Sequence, residues 1–251
     1  RARVATGLAV VAAIAYGQAR LAQRFDRDAA EARVTLVQSA ISQEHRWQRH
    51  FRDDNLAQHL DLVARAVRDR PDVVLLSELA VDAPIDSKAR EGKALREVSL
   101  RTGVDLLVGA PVVMDLLIVR HQFNSYVSVR AGEFSGRYDK VALAPFSETR
   151  PLGRWINFGD EIYTPGPART PLATRAGAIG VLLCSEGMFG AAARDTVLGG
   201  AEILANPAND SWFASPAAAR MQLNVASLRA VETRRWLLRP TLTGFTAVVD
   251  P

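Results

Sequence analysis

Asp72-Val73-Val74-Leu75-Leu76-Ser77-Glu78 is the stretch that decides how this chain folds. Four apolar residues in a row, without polar alternation, read as a strand covered on both faces. Pro71 stands before it and closes a helical segment, Asp54 to Arg70. There Leu56, Leu60, Val63 and Val67 recur at helical spacing, with charges on the other face. A carboxylate, Glu78, ends the strand.

Outward from this unit the same alternation repeats. Arg33 to Ser39 is an earlier buried strand. Lys88 to Thr102 is an amphipathic helix closed by Gly103, and Val104 to Gly109 is the strand after it. Phe123 to Val129 and Glu133 to Tyr138 flank Arg130-Ala131-Gly132 and form a hairpin, with Lys140 just beyond. Ser147 to Ala168 is a long loop rich in Pro, Gly and aromatics. Its Trp155, Ile156, Phe158 and Tyr163 suggest a membrane-facing gate, or a small apolar cluster under the loop. Ala178 to Leu183 is a buried strand ending at Cys184, and Glu202 to Asn206 is the next. Ser215-Pro216 caps a long helix through Arg235, with Met221, Val225, Leu228 and Val231 along one face. Thr246 to Val249 closes the chain as a strand. Strands alternating with helices argue an α/β fold.

At 251 residues and 48% hydrophobic, the chain is long enough for one large domain plus a short appendage. It begins at Arg1 rather than Met, as a piece of a longer protein would. Val4 to Ala19 carries no charge and is flanked by Arg1, Arg3 and Arg20. Its sixteen residues fall short of the roughly 20 that span a bilayer. Three readings compete: the end of a transmembrane helix, a signal-peptide core, or a buried soluble helix. The first is the expectation here, with residues 1–25 as helix end and linker and 33–251 as the catalytic domain. Arg20 to Glu31 is polar and is expected to be helical. The net charge of +4 is scattered, without a basic stripe interleaved with aromatics, which argues against a nucleic-acid partner. An anionic lipid surface is the better candidate for any anionic partner.

The single cysteine, Cys184, rules out an internal disulfide. It stands where an apolar strand turns into Ser185-Glu186-Gly187. Such a junction lifts a side chain out of a sheet edge beside backbone N–H groups, as a nucleophile and its oxyanion donors require. A buried structural cysteine fits the local pattern equally well. Glu78 at its strand end could be desolvated and take a proton, or could be an ordinary surface carboxylate. Lys140 and Glu148 carry the same two readings. His45, His50, His59 and His121 lack metal-ligand spacing, and neither a phosphate loop nor a G-x-S-x-G elbow is present. No metal and no cofactor is expected.

Taken in order, these blocks resemble the carbon–nitrogen hydrolase (nitrilase) superfamily. Within it they look most like the periplasmic domain of the apolipoprotein N-acyltransferases. The resemblance covers about Val34 to Pro251 and rests on several segments. They are Val37-Gln38 through Ile41, Gln43 and Trp47; Leu75-Leu76-Ser77-Glu78; Asn124-Ser125; and Gly136-Arg137-Tyr138-Asp139-Lys140. Pro145-Phe146-Ser147-Glu148, Cys184-Ser185-Glu186, Asn209 to Phe213, Leu228 to Thr233 and Thr243 to Val248 follow. It implies a four-layer αββα sandwich and a Glu78–Lys140–Cys184 triad supported by Glu148. It also implies substrate contacts at Trp47, Ser185, Glu186 and Trp212. It further implies a membrane domain in the bacterial inner membrane, with this domain on the periplasmic side. The partners implied are a phospholipid acyl donor and a diacylglyceryl lipoprotein acceptor. Ser77, Ser185, Leu223 and Leu242 stand where the family usually has Pro, Tyr, His and Asn, and these departures bear on donor or acceptor specificity. Two alternatives use the same triad: an amidase hydrolysing a small amide or nitrile, and a membrane acyltransferase with another acceptor.

Overall fold

A computed structural model describes residues 2–22, 31–86, 88–116, 119–150, 162–213 and 215–251. The chain divides into two units, Arg1–Glu31 and Ala32–Pro251. The first holds α1 (Ala2–Ala22), a 21-residue helix. Its Val4, Leu8, Val10, Val11 and Ile14 are exposed. The helix runs on through Arg3 and Arg20, beyond the uncharged stretch. Over Ala2–Arg20 it is long and apolar enough to cross a membrane, by length and composition.

The second unit is built on two five-stranded sheets. One runs β1 (Val34–Leu36), β2 (Val73–Leu75), β3 (Asp105–Leu116), β4 (Val119–Arg130) and β5 (Glu133–Asp139), in that order. β1, β2 and β3 are parallel, and β4 and β5 continue antiparallel. The other has β6 (Leu172–Thr174), β7 (Gly177–Val181), β8 (Ile203–Ala205), β9 (Leu237–Arg239) and β10 (Ala247–Val249), ordered 10-9-8-7-6. Here β7, β8 and β9 are parallel, with antiparallel strands at both edges. The helices are α2 (Gln43–Trp47), α3 (Arg52–Ala66), α4 (Arg90–Thr102), α5 (Gly190–Leu198) and α6 (Pro216–Thr233).

The two-residue period of the strands sorts their side chains into three cores. Val74, Leu76, Leu106 and Val108 pack with Val63 and Leu95, on the α3 and α4 side. Val73, Leu75 and Leu107 point the other way and meet Ile179, Val181, Leu183 and Leu238. Leu182, Leu204 and Leu237 meet Ala192, Ala193, Ala226 and Ala230 of α5 and α6. Helix, sheet, sheet, helix is therefore the layer order. A strand apolar on both faces is what a sheet with covers on both sides demands.

Most boundaries match the sequence reading. Gly103 ends α4 in the left-handed conformation, and the Ser215 side chain accepts from the Ala217 N–H at the start of α6. Four elements were not anticipated: β6, β9, α5 and the five-residue α2. β6 and β9 are three residues long and α5 is nine, too short to show a period. β3 and β4 run further than expected, as paired twelve-residue strands. The face of α6 is a correction. Met221, Leu228 and Val231 are 60%, 51% and 58% exposed, whereas Ala219, Gln222, Ala226, Arg229 and Ala230 are buried. Small residues let the helix lie close to its sheet, and Gln222 and Arg229 find polar partners inside. Of the expected helix Arg20 to Glu31, α1 covers the start to Ala22, and residues 23–30 lie outside the described part.

Candidate active site

The site lies where the carboxyl ends of strands from both sheets meet. Glu78 follows β2, Lys140 follows β5, and Cys184 begins a 3-10 turn (Cys184–Met188) after β7. Each end is held in place. The Tyr126 hydroxyl donates to the Leu76 carbonyl at 2.7 Å, fixing the strand just before Glu78. Gly109 lies so close to this turn that a Cβ there would come within 2.4 Å of Ser77 O and Leu79 N. The Lys140 N–H donates to the Asn124 carbonyl at 2.9 Å. The Cys184 N–H donates to the Pro207 carbonyl at 2.8 Å.

Leu79, Phe146 and Cys184 are non-glycine residues with φ of 48°, 68° and 49°. Each is a site residue or stands within two positions of one. Left-handed backbone at such residues costs on the order of 1 kcal/mol, and it turns the chain sharply enough to aim the side chains inward.

Lys140 and Glu78 are almost fully buried. Lys140 Nζ donates to Glu78 Oε1 at 3.3 Å and to Glu148 Oε1 at 2.9 Å, and lies 2.8 Å from Glu148 Oε2. Asn124 Nδ2 bridges the two carboxylates, 2.9 Å from Glu78 and 2.8 Å from Glu148. The Ala144 N–H caps Glu148 Oε2 at 2.7 Å. The Asn209 N–H donates to Glu78 Oε2 at 3.1 Å. Burial pushes the Glu78 carboxyl up, but the Lys140 charge and the hydrogen bonds from Asn124, Cys184 and Lys140 outweigh it and hold its pKa below the ordinary value. Burial would discharge Lys140. The charges of Glu78, Cys184 and Glu148 reverse that and raise its pKa. Burial, then the Glu78 charge, pushes the Cys184 thiol up to about 12, against the pull of Lys140. The resting site is therefore a neutral thiol beside an ionised carboxylate and an ammonium.

Glu78, Lys140, Glu148 and Cys184 come together as the sequence reading expected. The substrate contacts fare differently. Glu186 is fully buried, and both its oxygens are taken. Oε1 accepts from the Val141 and Ala142 N–H groups and from Arg169, and Oε2 from the Leu183 N–H and the Tyr138 hydroxyl. That corrects its expected role: it ties the nucleophile turn to the segment after Lys140 and has no oxygen left for substrate. Ser185 is half-buried beside the nucleophile, and its hydroxyl makes no hydrogen bond within the described residues. Trp212 is half-exposed in the 3-10 turn after Asn209. Trp47 is the last residue of α2, and its side chain lies outside the described part. Trp155, Ile156 and Phe158 of the expected gate also lie outside it, while Tyr163 is buried. Sequence reasoning gave no role to Asn206, Gln222 and Arg239, which surround Cys184 from behind. Their only signal was polarity at positions flanked by buried apolar residues.

Residues 33–251 match the model of the carbon-nitrogen hydrolase family. The chain belongs to this family. It is 29% identical over 245 residues to an apolipoprotein N-acyltransferase of Geobacter metallireducens, covering 94% of this chain and 47% of that protein. It is 32% identical to the enzyme of that name from Methylococcus capsulatus, covering 87% of this chain and 44% of the other. For the Caulobacter vibrioides protein of the same name the identity is 31%, over 99% of this chain and 50% of the other. The chain thus spans about half the length of the curated relatives it matches. Among solved structures, the Caenorhabditis elegans NitFhit protein superposes with a TM-score of 0.66 at 16% identity, covering 87% of this chain and 54% of that one. Saccharomyces cerevisiae Nit3, of branch 10 of the nitrilase superfamily, gives 0.64 at 19% identity, covering 88% and 82%. At these identities the structural likeness speaks for the fold, the nitrilase-type sandwich.

Proposed function

We propose that this chain is the catalytic domain of a membrane-bound N-acyltransferase. It takes a fatty acyl chain from a phospholipid, holds it as a thioester on Cys184, and passes it to the N-terminal amine of a diacylglyceryl lipoprotein. The observation that carries the reading is the buried cluster of Glu78, Lys140 and Cys184. The relatives named apolipoprotein N-acyltransferase supply the substrate class, and α1 is suited to attach the domain to a membrane. The domain faces the periplasmic side of the bacterial inner membrane.

The electrostatics support one order of events. A thiol pushed up to about 12 is not a thiolate at neutral pH, so it needs a base as it attacks. Glu78, held ionised, takes the thiol proton while Sγ bonds to the ester carbonyl carbon. Lys140 and the Ser185 backbone N–H stabilise the oxyanion. The intermediate collapses with rupture of the C–O bond. Glu78 returns the proton to the leaving alkoxide, and a lysophospholipid departs. The lipoprotein amine then attacks the thioester, Glu78 takes its proton, and the C–S bond breaks. Glu78 finally reprotonates Cys184. Two half-reactions through one covalent adduct give ping-pong kinetics.

The test uses the full-length protein with phospholipid and a diacylglyceryl-cysteine peptide. The expected products are lysophospholipid and N-acyl peptide, with an acyl adduct on the Cys184 peptide by mass spectrometry. All three vanish in Cys184→Ala. Free fatty acid as the sole acyl product would replace the transferase reading with a hydrolase, and an adduct surviving in Cys184→Ala would remove the nucleophile.

A further inference from the structure

Behind Cys184 lies a buried polar network that the reaction steps leave unused. Arg239, the last residue of β9, has no exposed surface. Its Nη2 donates to both oxygens of Asp210, at 2.8 and 3.0 Å, and to Gln222 Oε1 at 2.9 Å, while Nη1 donates to Asn206 Oδ1. Asn206 Nδ2 in turn donates to the carbonyls of Leu182, at 2.5 Å, and Cys184, at 3.0 Å. Gln222 comes from the inward face of α6, between Ala219 and Ala226, and its Nε2 lies 3.9 Å from Cys184 Sγ. A guanidinium has donors and no acceptor. The Gln222 carbonyl must therefore face Arg239, which leaves the amide N–H group aimed at the sulfur. A glutamine buried between Ala219 and Ala226 is costly unless both its ends are used.

We propose that Gln222, locked in one orientation by Arg239, donates a hydrogen bond to Cys184 Sγ. This bond stabilises the charge that the sulfur carries as it loses its proton and again as it leaves the thioester. Arg239 is a positioning residue: it sets Gln222 directly and the Cys184 backbone through Asn206. The inference rests on Cys184 being the nucleophile. It supplies a need that the site creates, because burial and the Glu78 charge both oppose charge on that sulfur, and a neutral donor offsets them without weakening Glu78 as a base, as the Lys140 charge does.

The test measures alkylation of Cys184 by iodoacetamide at fixed pH in the full chain, read by mass spectrometry on the Cys184 peptide. Gln222→Glu keeps an acceptor for Arg239, and so keeps the network that supports the fold, but it presents no donor to the sulfur. It should melt as the parent protein does and alkylate at least about tenfold more slowly, the effect of losing one hydrogen bond to a charged sulfur. Gln222→Met should show a similar slowing. Arg239→Lys, which loses the planar fork, should slow alkylation as well, and combining it with Gln222→Glu should add little. If Gln222 only anchors Arg239, Gln222→Glu would alkylate at the parent rate, and that result overturns the proposal. Full acyl transfer by Cys184→Ala would instead strike the nucleophile reading, an outcome separable from the alkylation rates.

Discussion

Glu78 feels opposing forces: burial raises its pKa, and Lys140 with three hydrogen bonds lowers it further than burial raises it. A carboxyl with a depressed folded pKa contributes stability that is complete above its ordinary value of 4.5 and is lost as pH falls through the folded value. In Glu78→Gln that contribution is gone, so denaturant unfolding followed from about pH 6 to about pH 3 should fall less steeply than in the parent. Parallel profiles would mean that Glu78 is not held ionised. The same reasoning fixes Lys140. Lys140→Met leaves two buried carboxylates sharing only Asn124, a loss of about 3–5 kcal/mol. Without the ammonium, burial takes over at Glu78. The acid limb of acyl-enzyme formation, measured with a water-soluble thioester, should then move up toward neutral pH. An unmoved limb would detach Lys140 from the protonation of Glu78.

At the level of elements, α6 shows how far apolarity and burial can part. Three of its larger apolar side chains, Met221, Leu228 and Val231, face outward, and Ala219, Ala226 and Ala230 face the sheet. Leu228→Ser therefore removes a half-exposed side chain and should change the stability of Ala32–Pro251 by less than about 0.5 kcal/mol. Ala226→Leu forces extra volume between α6, α5 and the sheet and should cost about 1–3 kcal/mol. Thermal melts of the two variants check this directly, and a larger loss in Leu228→Ser would restore the face drawn from sequence. The strands make the opposite case. Over β2 and the first half of β3, Leu106 to Val108, successive apolar side chains are buried on both faces, because each sheet face has a cover there.

For the whole molecule, the unit Ala32–Pro251 has its own hydrophobic cores: the three among the described residues are built from residues within it. Residues 32–251 produced alone should fold with an unchanged melting temperature and remain in solution beside phospholipid vesicles. The chain with α1 should sediment with the vesicles. A truncated domain that unfolds would show that α1 supports the sandwich, and equal sedimentation of both would place the membrane contact on the domain itself.

The α/β class, the strands around Glu78 and Cys184, and the candidate residues Glu78, Lys140, Glu148 and Cys184 were legible in the sequence. Apolar runs and helical spacing are local signals, and the ordered motif blocks single out the candidate residues. What the tertiary structure alone decided is what those residues face. Glu78 and Cys184 come from different sheets, and only the packing of the two sheets brings a carboxylate, an ammonium and a thiol together and sets which of them is charged. Glu186 reads as a neighbour of the nucleophile but folds into a clamp with both oxygens occupied. Gln222 and Arg239 carry only a weak local signal, since a lone polar residue beside apolar ones reads as readily as solvent-facing surface. Their place behind Cys184 follows from β9 lying beside β8 and from α6 crossing close enough, on small side chains, to reach the sulfur.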